Sequence, residues 1–167
     1  MVFFETERLR LRQLELTDTA FIVQLLNSPG WLQFIGDRNV RTEEEAEAYI
    51  KNGPMKSYAQ NNFGLSLVER KEDDSPVGMC GIIWRQELEH PDIGFALLPE
   101  YYGNGYAYEI AVATKDYARG SLGLSTIAGI TLEANTRSIR LLEKLGLSFQ
   151  KKICLNGSTE ELLLYSN

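Results

Sequence analysis

Residues 97–109, Leu-Leu-Pro-Glu-Tyr-Tyr-Gly-Asn-Gly-Tyr-Ala-Tyr-Glu, restrict the fold more than any other stretch of the chain. Before them, Asp-Ile-Gly-Phe-Ala-Leu reads as a strand over 92–98. After them, Ala107, Ile110, Ala111, Thr114, Tyr117 and Ala118 fall on one stripe of a helix expected over 105–119. A strand must therefore become a helix within a few residues, and Gly103 and Gly105 permit the tight turn. The first N–H groups of a helix have no intrahelical acceptor, so such a bend is an anion site in outline. The charge effect of a helix end is small, about 0.3–1 kcal/mol. Micromolar affinity needs about 8 kcal/mol, so several backbone bonds to a charged ligand, each about 1.5–3 kcal/mol, have to share the task. Two familiar phosphate loops do not fit. A Walker loop needs Lys-Ser/Thr where Tyr106 and Ala107 stand, and a Rossmann turn needs a small residue at Tyr108 and a place after the first strand.

The rest of the chain supplies a sheet for this bend. Arg8 to Leu14 alternates apolar and basic residues, the period of a half-buried strand. Thr17 is placed to cap a helix bearing Phe21, Ile22, Leu25 and Leu26, which stops before Pro29. Thr42 and Glu45 form a capping box for a second helix with Ala46, Tyr49 and Ile50 inward, weakened or ended by Gly53-Pro54. Strands follow over 63–70, 76–85 and 92–98, with the charged segment 69–76 as a solvated hairpin loop. A strand over 125–132, a helix over 136–145 closed by Gly146, and strands over 147–155 and 160–165 finish the chain. The strands over 92–98 and 125–132, joined by a helix, should be parallel neighbours. The expected fold is a mixed α/β sheet in the order β-α-α-β-β-β-α-β-α-β-β, one domain over residues 1–167. Trp31, Leu32, Phe34 and Ile35 serve either as core between the first two helices or as an acceptor-side wall or lid.

Composition narrows the function. Seventeen basic against 23 acidic side chains give a net charge of −6, which disfavours a nucleic-acid binder and suits cationic partners. No apolar run reaches the roughly 18 residues a membrane span needs. The start, Met-Val-Phe-Phe-Glu-Thr-Glu-Arg, lacks the pattern of a signal peptide. Cys80 and Cys154 are far apart, so a reduced, cytoplasmic setting is expected. No cluster of His, Cys and carboxylates points to a metal.

A second motif follows the strand over 125–132: Asn135-Thr-Arg-Ser138, then Ile-Arg-Leu-Leu-Glu-Lys-Leu-Gly146. Together with Pro99-Glu-Tyr-Tyr-Gly103-Asn-Gly105-Tyr-Ala, it resembles the GNAT superfamily of acetyl-CoA-dependent N-acetyltransferases. Glu5-Thr-Glu-Arg-Leu-Arg-Leu-Arg12 is similar to the branch that acetylates ribosomal-protein N-termini, an opening shared by many members of unknown substrate.

The resemblance implies that the two central parallel strands splay and that the main chain near Phe95 and Leu97 holds the pantetheine of acetyl-CoA. The N–H groups of Gly103, Asn104, Gly105, Tyr106 and Ala107 would take the pyrophosphate, Asn135 the pantetheine arm, and Ser138 would lie by the thioester sulfur. Two departures stand out. Glu100 occupies a position commonly Gln or Arg, removing a side-chain contact, and Leu142 occupies the place of a tyrosine acid. Ser138 is then the donor toward the sulfur; a thiol of pKa about 8.5 leaves with a hydrogen bond, its proton coming from the departing ammonium or a water.

The acceptor is expected to be a primary amine, either a protein N-terminus or a small amine. An α-amine of pKa about 7.7–8.0 is neutral in roughly one molecule in ten at pH 7, so it asks less of the base than a lysine near 10.4. Asp92 and Glu133 are the candidate bases, each also readable as ordinary surface charge, and a backbone N–H of the 92–98 strand would hold the oxyanion. His90 reads as a loop residue and Cys80 as a buried strand thiol. A non-catalytic acyl-CoA module, or a binder of another nucleotide, remains open beside the enzyme, as does a monomer or homodimer.

Overall fold

In the computed structural model, which describes residues 1–167, the chain opens with antiparallel strands β1 (Val2–Glu5) and β2 (Leu9–Arg12). Leu9 and Leu11 of β2 are buried, as the alternation requires. The arginines between them are not a solvated face. Arg10 reaches Glu69 at 2.8 Å and Glu5 at 3.1 Å, and Arg12 holds Asp18 at 2.9 Å and the other Glu69 oxygen at 2.8 Å. These pairs tie the first strands to their neighbours in the sheet and to the following helix.

That helix, α1 (Thr19–Leu26), starts later than expected, and Thr17 does not cap it. The chain enters through a 3₁₀ turn over Leu16–Asp18, in which the Asp18 carboxylate accepts the Glu15 N–H at 2.7 Å. α1 stops before Pro29, as expected, and Pro29 opens a further helix, α2 (Pro29–Phe34), where a missing N–H costs nothing in the first turn. Trp31 of α2 is core at 5% exposure, whereas Leu32 and Ile35 lie outside. In α3 (Glu43–Ile50), Thr42 Oγ1 accepts the Glu45 N–H at 3.1 Å, and the Glu45 carboxylate accepts from the Thr42 hydroxyl and the Arg41 N–H, each at 3.2 Å. Gly53-Pro54 was expected to weaken or end this helix. The helix passes through it as a π turn, Lys51–Met55, and continues as α4 (Lys56–Asn61). Widening to i→i+5 bonds relieves the clash of the Pro54 ring with the preceding turn.

The remaining elements are β3 (Ser66–Arg70), β4 (Ser75–Ile83), β5 (Asp92–Leu97), α5 (Tyr106–Gly120), β6 (Ala128–Thr131), α6 (Thr136–Lys144), β7 (Ser148–Ile153) and β8 (Leu162–Ser166). One eight-stranded sheet runs β1-β2-β3-β4-β5-β6-β8-β7. Every neighbour is antiparallel except β5 and β6, which are parallel as the connecting helix requires. The structure thus keeps the expected mixed α/β class and adds β1, α2 and α4 to the order. The strand expected over 125–132 narrows to four residues, because the Ile127 N–H is taken by the Asn167 side chain at 2.8 Å.

Apolar cores fill both faces. On one, α5 and α6 cover Ile93, Leu97 and Leu163 with Ile110, Ala111, Leu141 and Leu142. On the other, α1 to α3 cover Leu67, Met79 and Leu98 with Ile22, Leu25, Ala46 and Ile50. Gly129 sets the distance from β6 to α6, since a Cβ there would lie 2.5 Å from Leu142 Cδ2, and Leu142 is 1% exposed. We expect Gly129→Ala to lower stability by about 1–3 kcal/mol through overpacking. In a Leu142→Ala background the same change should cost clearly less, a coupling that denaturant unfolding of the four proteins measures.

Candidate active site

The parallel pair β5–β6 holds together at one place. Asp92 pairs with Ala128, and the Ala128 N–H donates to the Pro91 carbonyl at 2.8 Å; beyond that the two strands share no ladder. The notch therefore opens toward the C-terminal ends of both strands. Alternate residues of a strand aim their backbone groups at the same edge. Pro91 faces β6, while the Leu98 N–H bonds Val77 next to β4. By that alternation Phe95 and Leu97, beyond the single rung at Asp92, present N–H and C=O groups to the notch, where β6 supplies no partner. The main chain at Phe95 and Leu97 is thus a bare strand edge, suited to pairing with an amide-bearing chain.

At the open end, the bend after β5 carries Gly103 and Gly105 in the left-handed region, at φ 79 and 77. Asn104 secures the bend from within: its Nδ2 donates to the carbonyls of Tyr101 and Tyr102 at 3.1 and 3.3 Å. The first backbone bond of α5 runs from Glu109 N–H to Gly105 C=O. The N–H groups of Gly103, Asn104, Gly105, Tyr106, Ala107 and Tyr108 consequently have no acceptor in the protein. The space above Gly103 is open, with nothing within 4 Å of a Cβ placed there. Free amides gathered at a helix start form a cradle suited to an anion, and above Gly103 no side chain covers them.

The facing lip is the start of α6. Asn135 caps it: its Oδ1 accepts the Ser138 N–H at 3.3 Å, and its amide nitrogen has no partner in the protein. Ser138 is half-buried and its hydroxyl has no partner in the protein. Leu142, one turn further, is buried in the core against Gly129.

The two base candidates lie at opposite ends of the notch. Asp92 sits at the closed end, 1% exposed, with Arg85 Nε at 3.0 Å from its carboxylate. Burial pushes its pKa above the ordinary carboxylate value, and Arg85 works against that rise. It shares a face of β5 with Gly94 and Ala96, the face covered by the first helices, so it looks out on the side opposite α5 and α6. Glu133 is exposed beyond the end of β6, 4.0 Å from Lys152 Nζ. His90 is a half-buried loop residue 3.9 Å from Glu89. Cys80 is fully buried against the Thr114 hydroxyl at 3.4 Å, and burial pushes its thiol up to about 12, a protonated spectator.

One positioning group was invisible in the sequence. Glu109, in the first turns of α5, accepts from Thr6 Oγ1 at 2.6 Å, the Arg8 N–H at 3.0 Å and Arg8 Nε at 2.8 Å. Burial alone would raise its pKa, but these donors hold the carboxyl below its usual range. Arg8 in turn lies 4.6 Å from the centre of the Tyr106 ring and beside Gly105. The β1–β2 turn thereby anchors the start of the helix that carries the cradle. Nothing in local spacing signals a contact across 101 residues.

A mixed sheet parted between parallel strands, with free amides on one lip and a capped helix on the other, defines an acetyltransferase-type α/β protein. The chain belongs to the family described as the acetyltransferase (GNAT) domain, which matches residues 8–148 and whose chemistry is acyl transfer from acetyl-CoA. Among relatives, it is 29% identical over 170 residues to the uncharacterized N-acetyltransferase YoaA of Bacillus subtilis (strain 168), covering 97% of this chain and 94% of that one. It is 32% identical over 150 residues to the uncharacterized N-acetyltransferase p20 of Bacillus licheniformis, covering 88% and 82%. Solved structures share the fold. An acetyltransferase from Agrobacterium tumefaciens str. C58 superposes with TM-score 0.84 at 23% identity, over 100% of this chain and 94% of that one. RimL, a ribosomal L7/L12 alpha-N-protein acetyltransferase in complex with coenzyme A, gives 0.79 at 14% identity over 100% and 97%. A chimera of spermidine N-acetyltransferase SpeG from Vibrio cholerae and hSSAT gives 0.76 at 21% over 96% and 95%.

Removing Arg85 tests how Asp92 is maintained. Arg85→Ala leaves a buried carboxylate unpaired and should cost about 3 kcal/mol at neutral pH. Its folded pKa then lies further above the unfolded one, so the penalty is full above the folded pKa and vanishes as pH falls below the unfolded value. Unfolding midpoints of mutant and parent should therefore converge on acidification.

Proposed function

We propose that this protein transfers the acetyl group of acetyl-CoA to a primary amine by direct attack in a ternary complex. The observation that carries the reading is the coincidence, at one end of the sheet, of unpaired amides at Gly103–Ala107 with the bare strand edge at Phe95 and Leu97. The diphosphate takes the amides, the pantetheine pairs with β5 beside Asn135, and the thioester reaches down the notch toward Ser138 and Asp92. The acceptor approaches from the face on which Asp92 looks out. Its nitrogen attacks the thioester carbonyl carbon and a β5 backbone N–H steadies the oxyanion. The nitrogen gives its proton to Asp92, directly or through a water. The carbon–sulfur bond breaks as the oxyanion collapses to the amide, and the thiolate, hydrogen-bonded by Ser138, takes a proton from solvent, to which Asp92 releases the one it received.

Asp92 is favoured over Glu133 because a buried carboxylate with a raised pKa is the stronger base, while an exposed one is ordinary surface charge. Among acceptors, an α-amine fits best with a single carboxylate base, since a useful fraction is already neutral. Relatives of this fold act on both protein N-termini and spermidine, so both acceptor types belong in the assay. The reduced cysteines suit work in the cytoplasm. A second reading, an acyl-CoA-binding module without turnover, is favoured by one observation: Leu142 is an apolar residue committed to the core and offers no acid on α6 for the leaving sulfur.

Thiol release from acetyl-CoA, measured with N-terminal peptides beside free polyamines and amino acids, separates the two readings. Acceptor-dependent release is expected; tight CoA binding without release in any arm would leave only the module. Gly105→Trp should abolish CoA binding, and Ser138→Ala should lower kcat more than donor affinity. Asp92→Asn should lower kcat by about 10²–10⁴ and remove the pH limb that rises above the ordinary carboxylate range.

A further inference from the structure

The two lips of the notch touch at a side-chain contact that the fold does not need. Arg137, in the first turn of α6, sets its guanidinium carbon 4.3 Å from the centre of the Tyr102 ring. Tyr102 immediately precedes Gly103, so the contact runs from the α6 lip to the start of the amide cradle. The ring is a fixed platform. Its hydroxyl occupies the space that a Cβ on Gly30 of α2 would take, 2.7 Å from that position, and its carbonyl accepts from Asn104. Arg137 is the opposite case: both partners are exposed, and the guanidinium has no carboxylate and no hydrogen-bond acceptor in the protein. Most arginines of β2 and β3, by contrast, are committed to carboxylates. A chain of net charge −6 that leaves a cation uncommitted at the mouth of a diphosphate cradle has a partner for it to gain.

We propose that Arg137 is a donor-binding residue held in reserve: it rests on Tyr102 when the site is empty and turns to the diphosphate of the acyl-CoA when the donor enters. The inference rests on the donor reading of the notch. A guanidinium on a solvated ring is held more weakly than one paired with a phosphate, so the exchange favours the bound state. The contact with Tyr102 then subtracts from donor affinity instead of adding to it. The capping bond from Asn135 to Ser138 fixes the backbone on either side of Arg137, so the swing is a rotamer change and no movement of α6 is needed.

The two partners of one contact should therefore shift affinity in opposite directions. Calorimetric titration with CoA is expected to give binding about tenfold weaker for Arg137→Ala and roughly two- to fivefold tighter for Tyr102→Leu, the size of an exposed cation–ring contact. Arg137→Lys should recover part of the loss, and Tyr102→Leu should have no effect in the Arg137→Ala background. Because the diphosphate is the target, 3′-dephospho-CoA should show the same loss on Arg137→Ala. Weakening by both single substitutions, no change with either, or a loss confined to CoA with 3′-dephospho-CoA unaffected would each overturn the proposal. Failure of the parent protein to bind CoA would instead overturn the donor reading on which it rests.

Discussion

The interruption of the sheet between β5 and β6 governs the rest of the molecule. A parallel pair ordinarily continues its ladder along both strands, and buried backbone groups left without partners are costly. Here the ladder stops at Asp92 and Ala128, and beyond it Phe95 and Leu97 of β5 face an edge with nothing to bond. That edge is tolerable because it opens to the outside at the cradle end, and it is useful because an amide-bearing chain can complete it.

What surrounds the interruption keeps it in shape. α5 is held at its start by Glu109, whose carboxylate gathers Thr6 and Arg8 from the opening turn of the chain. α6 is held at its start by Asn135 and pressed to β6 where Gly129 leaves room for Leu142. At the closed end, the Arg85–Asp92 pair puts a carboxylate into the sheet interior at the point of divergence. A free-amide lip, a capped lip and a buried acid are each ordinary devices. Their placement on three sides of one gap gives them a common chemistry.

Much of this was legible before any coordinates. The glycine bend, the capping asparagine and the parallel arrangement of the flanking strands rest on local signals: positive-φ residues, an N-cap and a strand–helix–strand succession. The elements that escaped notice rest on tertiary context. β1 is short and half-exposed, and only its pairing with β2 makes it a strand. α4 required a π turn around Pro54, which local propensity reads as a stop. The arginines of β2 alternate as a solvated face would, and their carboxylate partners lie up to 64 residues away. For Asp92, the sequence offered a charge at the head of a strand; burial beside Arg85 is a property of the assembled sheet.

The interruption also divides the sheet mechanically. β1 to β5 form one leaf and β6, β8 and β7 another, and a lone rung of ladder joins them. Across that seam cohesion comes from the apolar contacts of α5 and α6, which resist separation but impose little directional stiffness. Backbone hydrogen bonding between the leaves is thus confined to that rung. A guest that bonds to β5 and packs against α6 acts as mortar in this joint, so occupancy should be felt as rigidity throughout the carboxyl-terminal leaf, well beyond the atoms it touches.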